Sequence, residues 1–361
     1  MGNYTEHLNF SAITSTGLPT AYALMFLPSL SGNVISLVIF RRMSRKTSMH
    51  IYLINLAVSN MIVSAGMPFQ VIYYISAEHW PYNSTLCTIV YEGASLLTHC
   101  SMCVSVTIFC WIAVTRYATL IRHKVRMQCK PKTTYEKIIF SQMLKSFQNP
   151  QFALYLCIGV WFTLLCPNIL VFLANQNPAL DKKCFDKEAE TVQLVYKITS
   201  VVESTCFFTF FLLVLLCYYF FMKHIQQIQA NSCIGKKHLV YSKVKTNIVV
   251  IAALLLLCFT PYHVSKFFLV RFDYSYGCKY LSALIEVKNC CLCLAEFRSC
   301  TDPMVYFCLD VTFKKNFQLF YKKRSADEKV NSTAINESTM KTPTISGRIL
   351  KSNIIPNESY Q

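Results

Sequence analysis

Asn247-Ile248-Val249-Val250-Ile251-Ala252-Ala253-Leu254-Leu255-Leu256-Leu257-Cys258-Phe259-Thr260-Pro261-Tyr262-His263 carries no charged residue, and the apolar character continues past Lys266 to Phe268. A helix rises about 1.5 Å per residue and a bilayer core is about 30 Å thick, so the run from Asn247 to Phe268 is long enough to cross. Six other stretches share its length and character: Leu18 to Phe40, Ile51 to Ile75, Thr88 to Val114, Phe152 to Leu173, Ile198 to Met222 and Tyr280 to Leu309. Hydrophobic residues make up 53% of the chain and charged residues only 15%, whereas soluble domains are about a quarter charged. The expected fold is therefore an all-α integral membrane protein, a bundle of seven transmembrane helices.

Orientation follows from Lys and Arg, which accumulate in short cytoplasmic loops. Arg41, Arg42, Arg45 and Lys46 follow the first span, and Arg116, Arg122, Lys124 and Arg126 begin the connection after the third. Lys223, Lys236 and Lys237 follow the fifth, and Lys314, Lys315, Lys322, Lys323 and Arg324 the seventh. No Lys or Arg precedes the first span or separates the second from the third. The reading puts the amino terminus outside, the carboxyl terminus inside, and the protein in the plasma membrane. The net charge of +17 is then this bias plus attraction to anionic inner-leaflet lipids, and it does not point to nucleic acid. Met1 to Gly17 lacks the pattern of a cleaved signal peptide, and Glu6 breaks the myristoylation pattern. The sequons at Asn3, Asn9 and Asn83 fall on the outer side and are expected to be glycosylated.

Four regions are expected: an extracellular segment 1–17, a membrane domain 18–312, an amphipathic surface helix 313–324 and a disordered tail 325–361. The surface helix rests on Phe313, Phe317, Phe320 and Tyr321, apolar at helical spacing among lysines. The tail is rich in Ser, Thr, Asn and Lys. The connection from Thr119 to Gln151 is long and polar, and is expected to be a loop.

Three motifs end or interrupt the apolar runs: Thr115-Arg116-Tyr117, Cys258-Phe259-Thr260-Pro261-Tyr262-His263 and Asp302-Pro303-Met304-Val305-Tyr306. Their order and membrane depths resemble the third, sixth and seventh helices of class A (rhodopsin-like) G-protein-coupled receptors. Phe259-x-Pro261-Tyr262-His263-x-x-Lys266, with Lys288 in Val287-Lys288-Asn289, resembles the nucleotide-receptor-like branch, which includes purinergic and lysophosphatidylserine receptors. The runs Thr134-Tyr135-Glu136-Lys137-Ile138, Asn149-Pro150-Gln151-Phe152 and Ser299-Cys300-Thr301-Asp302-Pro303 resemble an orphan member of it. That likeness covers nearly the whole chain except the termini.

The resemblance implies a receptor, not an enzyme, with no cofactor, that transmits an extracellular signal to a heterotrimeric G protein, of the inhibitory class by branch. The ligand is unnamed; an anionic, nucleotide- or lysophospholipid-like molecule is implied, bound by His263, Lys266, Lys288 and Phe259. Coupling and activation are implied for Arg116, Tyr117, Tyr218, Pro261, Asp302, Pro303 and Tyr306. Cys87 and Cys184 match the family's outer disulfide, with Trp80 where the family has a tryptophan before the first cysteine. Cys278 is then left over.

Departures from the pattern matter as much. Thr115 stands where most relatives have the acid that restrains the arginine. Arg116 lies 29 residues past Cys87, roughly one helical turn more than usual. Asn60 replaces the second-helix aspartate that, with a serine matching Ser105 and a seventh-helix polar residue, usually holds sodium. At that last position stands Arg298, four residues before Asp302 and so on the same helical face. An unpaired arginine in mid-bilayer costs about 2.5 to 3.5 kcal/mol even on the lenient scale. The expectation is that its guanidinium fills the sodium site, paired with Asp302 and bonded to Asn60 or Ser105. A transporter or a ligand-independent constitutive receptor are the rival readings. Broken helices and internal repeats, which mark transporters, are absent from the sequence.

Overall fold

The computed structural model describes residues 11–44, 46–76, 93–127, 142, 145, 146, 148–174, 190–229, 238–271, 278–322, 324 and 325. Residues 1–314 form one compact unit and 315–361 a second. Among the described residues, seven long helical runs make up most of the first: α1 (Leu18–Arg42), α2 (Ser48–Ile75), α3 (Gly93–Met127), α4 (Pro150–Ala174), α5 (Glu190–Gln229), α6 and α7 (Cys278–Leu309). The sixth run, α6, joins His238–Leu254, a π-helical turn Leu255–Phe259 and Thr260–Arg271. Each of the seven expected spans falls on a helix over its described residues. No described residue lies in a strand.

The helix ends differ from the expectation in several places, among them the sixth run, which starts at His238 instead of Asn247 and ends at Arg271 instead of Phe268. The chain is already helical at Ala12, with a π-helical turn Ile13–Gly17 leading into α1. The loop expected from Thr119 starts later, because α3 runs on to Met127; no Gly or Pro interrupts it before Pro131. The fifth helix extends beyond Ile198 to Met222 at both ends. The last helical run spans 311–322, starting earlier than expected. Its start has a local cause: the Asp310 carboxylate accepts the Thr312 and Phe313 N–H groups at 2.7 and 3.0 Å, as an N-cap does.

The bundle closes as a ring of α1, α2, α4, α3, α5, α6 and α7 neighbours, with α3 touching α2, α4, α5 and α6. Its central place shows in burial: 72% of the apolar window in α3 is inside, against 22% for α5. Large apolar side chains such as Leu24, Leu27, Phe162, Leu257 and Met304 face outward, while Ser29, Asn33, Asn60, Ser64, Arg298 and Asp302 are buried. That distribution suits a lipid surround, where only the interior offers polar partners. Five described helices are long and apolar enough to span a membrane, and α4 adds a shorter apolar run, Pro150–Cys166. In α7, Glu286, Lys288, Glu296, Arg298 and Asp302 interrupt the apolar character.

Small residues set the closest approaches. A Cβ on Gly32 would lie 2.9 Å from Pro303 Cγ, so glycine there lets α1 meet α7. Pro303 cannot donate to the Ser299 carbonyl one turn earlier. Asn33 takes the freed acceptor with its Nδ2 at 2.9 Å, and Ser29 bridges Ser64 and Ser299 at 2.6 and 2.7 Å.

Candidate functional site

Between α3, α4, α5 and α6 lies a cavity of about 310 Å³. His99, Cys103, Val106 and Thr107 reach it from α3, at spacings of three and four that share one helical face. Val160 and Thr163 line it from α4, Glu203 and Phe207 from α5, and Tyr262 and His263 from α6. Most of the lining is apolar; the polar groups gather between α3, α5 and α6.

Of the four residues expected at the ligand, His263 lines this cavity, its ring stacked on Phe207 at 4.3 Å between centroids and 11° between planes. Lys266 is buried and paired: its Nζ meets Glu203 Oε2 at 2.5 Å and sits 5.5 Å from the Tyr262 ring centre. The Tyr262 hydroxyl and His99 Nδ1 are 3.3 Å apart. Phe259 lies deeper, fully buried, with its ring 6.3 Å from that of Phe207. Lys288 is half-buried on α7 and is not among the lining residues. Glu203 and His99 were not expected at the ligand. A carboxylate inside the apolar run Ile198 to Met222 was itself a signal, because intramembrane charges need a reason.

Below the cavity, Arg298 is the largest fully buried side chain among the described residues. Its Nη1 donates to Asp302 Oδ2, and its Nη2 to Asn60 Oδ1 at 2.9 Å and Ser105 Oγ at 3.0 Å. Asn60 Nδ2 donates in turn to Asp302 Oδ2 at 2.8 Å and Asn33 Oδ1 at 3.1 Å. The guanidinium lies 5.2 Å from the Phe259 ring centre and 5.5 Å from that of Phe109. All members of the expected cluster, Asn60, Ser105, Arg298 and Asp302, are thus in one network, and Tyr306 joins it through Asn33 at 3.4 Å. Pro261 follows the π-helical turn, where the Thr260 hydroxyl donates to the Leu255 carbonyl at 3.1 Å; the turn places an extra residue just before the proline.

At the end of the bundle that carries Arg41, Arg42 and Arg116, the Leu309 carbonyl is the meeting point. Arg116 Nη2 donates to it from α3 and Asn247 Nδ2 from α6 at 3.4 Å. Thr115 is buried, and Arg116 thus has a backbone acceptor in place of an adjoining carboxylate. Asp310, the next residue, takes His50 Nε2 from α2 at 2.9 Å. His50 Nδ1 accepts the Thr47 N–H at 3.2 Å, which leaves Nε2 as the donor. Burial alone would raise the Asp310 carboxyl, but the His50 bond and the Phe313 and Thr312 N–H groups outweigh it and hold the group below the usual carboxylate range. Tyr306 packs edge-on to Phe40 and Phe313 at 5.8 and 5.7 Å. Tyr117 lies 6.5 Å from Phe220, ring to ring, and Tyr218 is half-buried on α5. Cys87, Cys184 and the sequons at Asn3, Asn9 and Asn83 lie outside the described residues.

Comparison with known proteins adds to this geometry. Residues 32–306 match the model of the family described as 7 transmembrane receptor (rhodopsin family). The chain is 37% identical to the human (Homo sapiens) "Probable G-protein coupled receptor 82" over 332 residues, 90% of this chain and 98% of that one. It is 35% identical to the Mus musculus protein of that name, over 87% and 97% of the two chains. With "Probable G-protein coupled receptor 34" of Pan troglodytes the identity is 25%, over 86% of this chain and 77% of the relative.

Proposed function

We propose, since this chain belongs to the rhodopsin family of seven-transmembrane receptors, that it carries an extracellular chemical signal across the plasma membrane to a heterotrimeric G protein of the inhibitory class. The end bearing Arg116 is then cytoplasmic and the amino terminus outside, with Cys87 and Cys184 bridged and Asn3, Asn9 and Asn83 glycosylated on that face. The observation that carries the reading is the Arg116 contact. A buried-end arginine that donates to a backbone carbonyl of α7, shared with Asn247 of α6, loses that contact when α3, α6 and α7 separate. Separation then exposes the guanidinium to a partner, and any ligand that prefers the separated state shifts the equilibrium toward it.

The ligand proposed is an amphiphile with an anionic group. The apolar walls of the cavity suit a hydrocarbon portion, and His263 with Lys266 supports the anionic part. Lys288 would meet only what extends beyond that cavity. Tyr117, Tyr218, Pro261, Asp302, Pro303 and Tyr306 belong to the transmission path between cavity and cytoplasm.

The test is a panel of G-protein activation sensors in cells expressing the chain at matched surface levels. Inhibitory-class activation that disappears in Arg116→Ala supports the reading. No activation of any class by wild type, or activation unchanged by Arg116→Ala, removes it.

A further inference from the structure

We propose that Glu203 is a tethered occupant of the anion seat made by Lys266. A ligand's anionic group would bind by taking its place, making occupation of the cavity and rupture of an α5–α6 ion pair one event. The inference rests on the ligand reading above and adds the residue that decides its charge selectivity.

Glu203 lines the cavity, with its side chain 25% exposed, whereas Lys266 is 4% exposed and does not line it. From the cavity, the carboxylate stands in front of the ammonium. An anion that approached with Glu203 in position would meet a like charge first, and two anions sharing one cation repel. Exchange avoids this: the Lys266 Nζ to Glu203 Oε2 bond is lost, one from Nζ to a ligand oxygen is gained, and the released Glu203 carboxylate takes up a proton from water, so that a single anion faces Lys266. Tyr262, whose ring already lies 5.5 Å from Nζ, stays with the lysine.

The exchange reaches further because of where the pair sits. Glu203 and Phe207 are one turn apart on α5; Lys266, His263 and Phe259 are spaced by three and four on α6. The ion pair is therefore the outer rung of a ladder whose next rungs are the Phe207 stack on His263 and the Phe207 contact with Phe259. Phe259 in turn lies against the Arg298 guanidinium. Breaking the outer rung loosens α5 from α6 one turn above a contact chain that ends on the buried Arg298 network.

The experiment uses the full-length receptor in lipid nanodiscs and measures binding of four probes: oleoyl lysophosphatidic acid, oleate, uncharged monooleoylglycerol and sphingosine, an amine. Variants are Glu203→Gln, Lys266→Met and the exchange Glu203→Lys with Lys266→Glu. Removing a like charge from the seat should tighten at least one anionic probe on the order of tenfold in Glu203→Gln, with monooleoylglycerol unchanged. Lys266→Met should abolish that gain, and the exchanged pair should prefer sphingosine. Should Lys266→Met fail to fold, Glu203→Gln, which can still bond Lys266, and the exchanged pair decide the matter. Unchanged or weaker anion binding in Glu203→Gln, no binding of any anionic probe to that variant, or sphingosine binding to wild type that Glu203→Gln destroys would each overturn the proposal. Binding needs no G protein, so the two readings fail separately: probe binding as stated without G-protein activation sinks the receptor coupling alone, and Arg116-dependent activation with an indifferent Glu203→Gln sinks this inference alone.

Discussion

Replacing Arg298 by Asn tests whether a side chain does the work of a bound cation. The substitution leaves Asp302 fully buried, with Asn60 Nδ2 at 2.8 Å as its remaining side-chain donor in this network. Removing one partner of a buried pair costs about 3 to 5 kcal/mol, because the other charge stays behind uncompensated. The vacated space is bounded by oxygens already oriented toward a cation, Asp302 Oδ2, Asn60 Oδ1 and Ser105 Oγ. Sodium should therefore bind there in the variant, and at about ten times its dissociation constant it returns about 1.4 kcal/mol by mass action. The assay is thermal unfolding of purified receptor in sodium chloride or in the chloride of a bulky organic cation at equal ionic strength. Wild type should unfold at the same temperature in both; Arg298→Asn should unfold earlier in the organic cation and recover part of the loss in sodium. Adding Asn60→Asp should enlarge the sodium response, since it restores a carboxylate. The reasoning fails if wild type is itself stabilised specifically by sodium, or if Arg298→Asn is as stable as wild type without it.

Thr115→Asp places a carboxylate beside Arg116 and should lower basal G-protein activation at matched surface expression, while Asn247→Ala, which removes the second donor to the Leu309 carbonyl, should raise it; equal basal activity in all three proteins counts against the restraint. Gly32→Ala drives a methyl to 2.9 Å from Pro303 and should destabilise by about 1 to 3 kcal/mol, whereas Gly159→Ala, with nothing within 4 Å, should be near neutral in the same unfolding assay. Because the Asp310 carboxyl is held below its ordinary value, its contribution is complete above the unfolded value of about 3.9 and is lost as pH falls below it. Solubilised receptor should therefore lose stability on acidification in that range, and Asp310→Asn should show a smaller loss when titrated by the same assay.

The seven-helix bundle was legible in the sequence, because hydrocarbon thickness and helix rise leave little freedom in how an apolar run is used. The Arg298 partners were legible for a related reason: Asp302 follows four residues later on one helix, and a mid-bilayer guanidinium has few other places to go. The acceptor for Arg116 was not. A backbone carbonyl has no residue signature, and which carbonyl is free depends on where α7 ends and how α3 and α6 lean on it. Likewise Lys266 reads as an open cation until α5 brings Glu203 against it across 63 positions of chain, turning it into one half of an ion pair. Contacts within a turn follow from helix geometry, whereas contacts between helices depend on rotation and approach, which side chains as small as the hydrogen of Gly32 decide only when the bundle is packed.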